Sequence, residues 1–248
     1  MTGSERAPLI LQARPSAHTD TRLPVIAAML RHLADAATGP VATHLDPGAA
    51  LEACRRAIGA GFTSVMFDGS RLALAQDIAE TATLAALARA AGIGCEGRGG
   101  LCRLCGPSAF HRHRPRTGPE PAPRFARETG VDAVAVSVGT LQLQRGASAA
   151  PLDPSRLDAI AALTPLPSVS HGGSGVAPAE RQRLAAQTTL CKFNIGTELR
   201  QSFGAALHAS LAADPDQFDR LALLTSTEGP VTRAAGAVLR SLLSQGPV

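Results

Sequence analysis

The chain has no tryptophan and no tyrosine, and aromatic residues make up only 3% of its 248 residues. Without tyrosine or tryptophan to stack bases, a basic stretch such as Arg112, Arg114 and Arg116 reads as local loop charge, so nucleic acid is not an expected partner. Lysine is nearly absent as well: Lys192 is the only one, and the rest of the positive charge behind the formal net of +4 is arginine. No apolar run reaches the roughly 18 to 20 residues of a membrane span. Nor does Met1 to Arg6 carry a basic region followed by an apolar stretch, so we expect a cytoplasmic protein with no membrane partner. Charged residues are few, at 18%, but the 45% hydrophobic share is ordinary, which excludes a disordered chain. Five cysteines, an odd number with no export signal, argue against a disulfide framework.

What is present is a repeated alternation of short β-rich apolar runs with amphipathic helices. Strands are expected at residues 8–12, 40–46, 64–67, 93–96, 133–138, 168–170 and 190–195. Helices are expected at 21–34, 49–60, 72–91, 124–129, 155–163, 178–186 and from 198 onward. Leu23, Ile26, Leu30 and Leu33 form the apolar stripe of the first helix, Gly61 closes the second as a left-handed cap, Gly92 ends the long third helix, and Asp153 is placed to cap the helix after it. Cys54 and Cys191 fall inside apolar patterns and read as small core residues. Residues from Gly97 to about 123 have no periodicity and read as loop.

Strand and helix in strict alternation imply right-handed crossovers and a parallel sheet. The length suits an eight-stranded barrel, but only seven strands are found, and no GxGxxG follows the first strand. The fold expected is therefore α/β, a TIM-type (β/α) barrel with its first βα unit missing or replaced. The C-terminal segment 214–248 is one candidate to cover the unpaired edges such a barrel leaves.

Two glycine-bearing bends follow the last two strands: His171-Gly172-Gly173-Ser174-Gly175 and Asn194-Ile195-Gly196-Thr197. Barrels commonly hold phosphate at this place with backbone N–H groups and a helix N-terminus, although glycines also serve plain tight turns. Asp46 ends a strand at the inferred mouth of the barrel, where it either serves a site or caps the next helix. His44 lies two residues earlier on the same face and can approach His171. Asp68 and Glu96 end strands too, as partners for a cation or for Arg98. Cys95, Cys102, Cys105, His111 and His113 offer one CxxC with nearby histidines, a weak zinc pattern.

Several segments resemble the class II, zinc-dependent fructose- and tagatose-bisphosphate aldolases. Phe62 to Ser70 is similar to the signature after that family's third helix, and His171 to Gly175 to its LHGGSG turn. Asn194 to Leu199 is similar to its N-(V/I)-x-T-E-L ending, Thr43 to Asp46 to the start of HLDH, and Val138 to Thr140 to part of GTxHG. The matches run in family order over about residues 8–210. The resemblance implies a single aldolase-type barrel domain over residues 1–248, with its core at about 8–210 and a helical tail at 214–248. It also implies zinc held by three histidines, Asp46 as the residue that moves a proton at the cleaved bond, and dihydroxyacetone phosphate bound at Gly172, Gly173, Ser174, Asn194, Ile195, Gly196 and Thr197.

The departures from the pattern fall on the metal. Pro47 stands where HLDH has its second histidine and Gln142 where GTxHG has its histidine, leaving His171 as the metal residue. In the segment matching VEAELG, Cys95 to Gly100, the second acid is Arg98. The leading expectation is a lyase acting on a ketose phosphate, with zinc at an altered site on His171. The alternative is a non-catalytic phosphosugar-binding or partner-stabilising subunit. A third is another carbonyl proton transfer, with Gln142 and Arg98 stabilising charge. A homo-oligomer, or a partner chain supplying the missing βα unit, is expected.

Overall fold

The computed structural model describes residues 7–14, 22–48, 50–98, 117, 121–138 and 153–243. Within them the chain alternates strand and helix as its periodicity predicts. The strands are β1 (Leu9–Ala13), β2 (Val41–Gly48), β3 (Ser64–Phe67), β4 (Gly94–Arg98), β5 (Ala133–Val136), β6 (Ser168–Ser170) and β7 (Leu190–Phe193). The helices are α1 (Leu23–Asp35), α2 (Leu51–Gly59), α3 (Leu74–Ala90), α4 (Pro121–Thr129), α5 (Pro154–Leu163), α6 (Pro178–Gln187), α7 (Thr197–Ala213) and α8 (Arg220–Leu242). Gly61 adopts the left-handed conformation expected of it, at φ 88°. Asp153 accepts a hydrogen bond from the Arg156 amide as the cap of α5.

All seven strands run parallel in sequence order, β1 through β7, and each strand's register is set by its neighbour: Gln12 faces His44, His44 faces Ser64, and Ser170 faces Phe193. β1 and β7 are not paired to each other among the described residues. Yet Gln12 of β1 and Asn194, just past β7, hydrogen-bond side chain to side chain at 3.0 Å across 182 residues of sequence. The sheet therefore curls almost into a closed barrel, leaving a seam between β1 and β7 among the described residues.

Side chains alternate across each strand. Those that face the helices join one large core containing Leu45, Phe62, Val65, Leu84, Phe125, Val134, Leu157, Ile160 and Leu184, all fully buried. Met66, Ala135 and Val169 form a separate small cluster on the other face of the sheet, the lumen of the barrel. Above this apolar floor the lumen is polar.

The elements flanking the seam are poorly covered. Most of the large apolar side chains left exposed lie there: Ile10 on β1, Val25, Met29 and Leu33 on α1, then Leu211, Phe218, Leu221 and Leu224 from α7 to α8. Leu33, expected in the buried stripe of α1, is thus turned out: Ala27 and Leu23 take the buried positions, and no described residue covers Leu33. Cys191, expected in the core, is exposed for a related reason: it lies on β7, the last strand of the sheet, and among the described residues no further βα unit covers it. The tail helix α8 packs against α7 and α6 and adds no strand to the sheet.

Candidate functional site at the barrel mouth

Asp46 stands at the C-terminal end of β2 and is nearly buried. It does not cap the following helix, whose N-cap residue is Ala50 with no side-chain cap. Its Oδ2 instead accepts hydrogen bonds from Gln12 Nε2 at 2.9 Å and Asn194 Nδ2 at 2.5 Å. Two amides, one from each side of the seam, therefore hold this carboxylate in place. Its Oδ1 has no hydrogen bond to a described residue.

A chain of polar contacts runs on from Asn194. Its amide lies 3.3 to 3.4 Å from the two ring nitrogens of His171, and His171 Nε2 donates to Glu96 Oε1 at 3.1 Å. Donation to a carboxylate requires the proton on Nε2. The other oxygen of Glu96, Oε2, accepts from the Lys192 ammonium at 2.7 Å and lies 3.6 Å from His44 Nε2. Glu96 on β4, Lys192 on β7 and His44 on β2 thus meet across the lumen. His44 and His171 come together as expected, but through Glu96 rather than directly.

Burial by itself would raise the Glu96 carboxyl, but the hydrogen bond from His171 and the Lys192 ammonium hold it down to about 2. His44 goes the other way. Burial, reinforced by the Lys192 charge, pushes it down to about 4, so its ring is neutral at pH 7. Its Nδ1 bonds Ser64 Oγ at 2.7 Å, and that hydroxyl in turn donates to the Thr43 carbonyl at 3.3 Å. Nδ1 therefore carries the proton and Nε2 is a bare acceptor, buried and without a hydrogen-bond partner among the described residues.

Arg98, at the end of β4, pairs with Asp68 of the β3 end at 2.5 Å, and Ser70 N donates to the other Asp68 oxygen at 3.1 Å. Burial favours the neutral acid, but Arg98 and Ser70 outweigh it and keep Asp68 below the usual carboxylate range. The expected ion pair is present, and it engages Asp68 rather than Glu96.

The two bends after β6 and β7 lie side by side. Gly172 takes a left-handed φ of 79°, which a side chain would strain, and so turns the chain back over the barrel. Gly173 N donates to the Asn194 carbonyl at 3.2 Å. Ser174 Oγ accepts from the backbone N–H groups of Gly196 and Thr197, both at 3.1 Å, and Glu198 at 3.4 Å. The start of α7 is thus capped from the neighbouring bend by a neutral hydroxyl. Behind it, the buried Arg181 bonds Glu198 and the Val176 carbonyl.

Gly139, Thr140, Gln142, Cys102, Cys105, His111 and His113 lie outside the described residues. Two members of the network carried no expectation beyond their elements: Gln12 and Lys192. The signal was present for Lys192, as the only lysine, inside the segment expected as the last strand and two residues before Asn194.

The sequence model of the family "Fructose-bisphosphate aldolase class-II" matches residues 2–247. The chain is 33% identical over 238 residues to a fructose-bisphosphate aldolase from Thermus caldophilus, covering 86% of this chain and 76% of that protein. It is 32% identical over 182 residues to a probable fructose-bisphosphate aldolase from Bacillus subtilis strain 168, covering 73% of this chain and 63% of that one. Among solved structures, the YdjI aldolase from Escherichia coli K12 superposes with a TM-score of 0.79 at 26% identity, over 99% of this chain and 85% of its own.

Proposed function

Because the chain belongs to the class II fructose-bisphosphate aldolase family, we propose that it performs aldol cleavage or the reverse condensation on a ketose phosphate. Dihydroxyacetone phosphate would sit at the bends after β6 and β7. The observation that carries this reading is Asp46, with one oxygen clamped by Gln12 and Asn194 and the other without a hydrogen bond to a described residue. A carboxylate so oriented, with an acceptor to spare, takes the proton from the hydroxyl on the carbon where the bond breaks, and returns it in condensation.

The bends supply the other end of the site. Three amides at the start of the 17-residue α7 converge on Ser174 Oγ. A phosphate oxygen is a stronger acceptor than a hydroxyl, and the positive end of the helix favours a dianion. Ser174 then turns aside or donates its own proton to the phosphate. Gly172 and Gly173 hold one wall, and Asn194, Ile195, Gly196 and Thr197 the other.

Family members are typically zinc-dependent, and the resemblance assigns His171 as a ligand. The residues present do not fit a three-histidine centre. Pro47 has no donor atom, the His171 ring faces Glu96 and Asn194, and among the described residues no three His, Cys, Asp or Glu side chains are grouped to hold a metal. No step is routed through a metal here. The same mismatch favours the second reading, a phosphosugar-binding subunit that does not turn over. Apolar exposure along the seam supports a second copy or partner chain covering it. No helix among the described residues is long and apolar enough to cross a membrane.

The test is a coupled assay for triose phosphate release from fructose and tagatose bisphosphates, beside a melting assay with dihydroxyacetone phosphate. We expect slow turnover that falls about 100-fold or more in Asp46→Asn, and a ligand-induced rise in melting temperature that survives in that variant. Ser174→Asp puts an anion on the α7 amides and is expected to abolish the rise. A rise without turnover selects the binding subunit. A rise that persists in Ser174→Asp removes the bends as the phosphate site.

A further inference from the structure

We infer that Arg181 is a positioning residue that keeps the anion-binding end of α7 open, by holding the Glu198 carboxylate behind the helix and away from the amides where the substrate phosphate sits. The inference rests on the phosphate site proposed above and supplies the reason that an acid in its first turn does not close it.

The first observation is the acid itself. Glu198 stands in the first turn of α7, and it is one of the three residues whose N–H groups converge on Ser174 Oγ. The amides of a helix start, together with the positive end of its dipole, draw a nearby carboxylate. An acid tied to the same turn is always within reach, so it competes with a phosphate for the same donors. Here it does not take them. The N–H groups of Gly196, Thr197 and Glu198 all donate to a neutral hydroxyl from the neighbouring bend, which is a weaker acceptor than a phosphate oxygen.

The second observation is what holds the acid back. Arg181 Nη2 donates to Glu198 Oε1, Nε donates to the Val176 carbonyl at 2.9 Å, and Nη1 donates to Ser241 Oγ at 3.3 Å. These partners belong to three different parts of the chain: Val176 closes the bend after β6, Glu198 opens α7, and Ser241 lies on the tail helix α8. A guanidinium, with donors on every side and a permanent charge, can tie all three at once; the point charge of a lysine cannot match that fork. The Arg181 side chain is 3% exposed against 29% for Glu198, so the cation is the fixed member of the pair and the carboxylate is the one drawn to it.

The third is the charge balance. Burial pushes the Glu198 carboxyl up, and the Arg181 guanidinium is the charge that works against it. With the pair closed, the acid adds no net charge beside the phosphate, and the helix end keeps its attraction for a dianion. With Arg181 gone, the amides of its own turn are the donors closest to Glu198 along the chain, and a carboxylate on them stands where the phosphate binds. Removing the acid as well takes the competitor away. Glu198→Gln alone then costs nothing in phosphate binding, whereas breaking a purely structural pair from either side would loosen the two bends alike.

The experiment measures binding of dihydroxyacetone phosphate to the intact protein by calorimetry at pH 7, in wild type, Arg181→Met, Glu198→Gln and the double variant, with melting temperatures to check folding. We expect Kd to rise roughly 10- to 30-fold in Arg181→Met, the effect of a charge at a helix start, and to return to within about threefold of wild type in the double variant. Glu198→Gln keeps the shape of the pair and tests the inference even where Arg181→Met does not fold; it is expected to bind at least as tightly as wild type. In turnover the loss in Arg181→Met falls on KM rather than kcat. Weaker binding in Glu198→Gln, a folded Arg181→Met that binds as wild type does, or a double variant that fails to recover overturns the inference and leaves the aldol reading intact. The expected pattern of binding in a protein that cleaves no ketose bisphosphate sustains the inference and overturns the aldol reading instead. No binding by wild type removes the phosphate site and the inference with it.

Discussion

Replacing Glu96 by glutamine removes one negative charge from the middle of the lumen and changes little in shape. In the native protein this carboxylate is the common partner of Lys192 at 2.7 Å and His171 at 3.1 Å, with His44 Nε2 at 3.6 Å. The variant leaves the ammonium in a largely buried site with only an amide beside it. Breaking a buried pair from one side costs about 3 to 5 kcal/mol, and the partial exposure of Lys192 places this case near the lower end. For a domain of this size about 3 kcal/mol corresponds to a fall of roughly 6 to 12 °C in melting temperature. Lys192→Met strands the carboxylate in turn and is expected to cost about as much. The double variant, with neither charge, should cost no more than either single one. Urea unfolding of all four proteins at pH 7 measures the cycle. The pH dependence has a definite sign. Glu96 titrates near 2 when folded against an ordinary 4.5, so its contribution is fully present above pH 4.5 and is lost as the pH falls toward 2. The Glu96→Gln variant lacks that part of the acid sensitivity. Additive costs in the double variant, or a Glu96→Gln protein as stable as wild type, would refute the network as drawn.

Two further outcomes follow from particular residues. Asp77 on α3 is buried, its carboxylate accepts from Thr81 Oγ1 at 3.1 Å as its one side-chain partner among the described residues, and burial pushes its carboxyl up to about 6. Its folded value exceeds the unfolded one, so its contribution is greatest below pH 4 and is lost as the pH rises through 6. Asp77→Asn is therefore expected to raise stability at pH 7.5 by about 2 to 3 kcal/mol and to have no effect near pH 4; a destabilised variant at pH 7.5 in urea unfolding contradicts this. Pro47→His together with Gln142→His returns imidazoles to the two positions where the family resemblance expects metal-binding histidines. Metal analysis after dialysis against zinc should then find about one zinc per chain in the double variant and none in the parent, and a double variant that stays metal-free would show that these positions do not converge.

Much of the architecture was legible because each βα unit is encoded locally. The 3.6-residue period of a helix, the short β-branched run and the glycine that ends a helix all lie within a few residues of one another, so seven strands and the helices between them could be placed to within a few residues. Asp46 and the two bends were legible for the same reason, as strand-end residues at the mouth of a barrel. Leu33 and Cys191 were misread because an apolar residue in a periodic pattern is buried only if a neighbour exists to bury it, and among the described residues the elements beside the seam lack one.

The linear order of residues determined which units form and which side chains of each strand face inward. It did not determine which inward side chains meet. Glu96 and Lys192 are 96 residues apart, Asp46 and Asn194 are 148 apart, and Gln12 and Asn194 are 182 apart. Their contacts depend on the stagger of seven strands and on how far the sheet curls before its seam. Tertiary structure alone turned a solitary lysine, a buried glutamate and a histidine with an unused ring nitrogen into one cluster, because charges taken out of water must find one another within the same few ångströms of lumen.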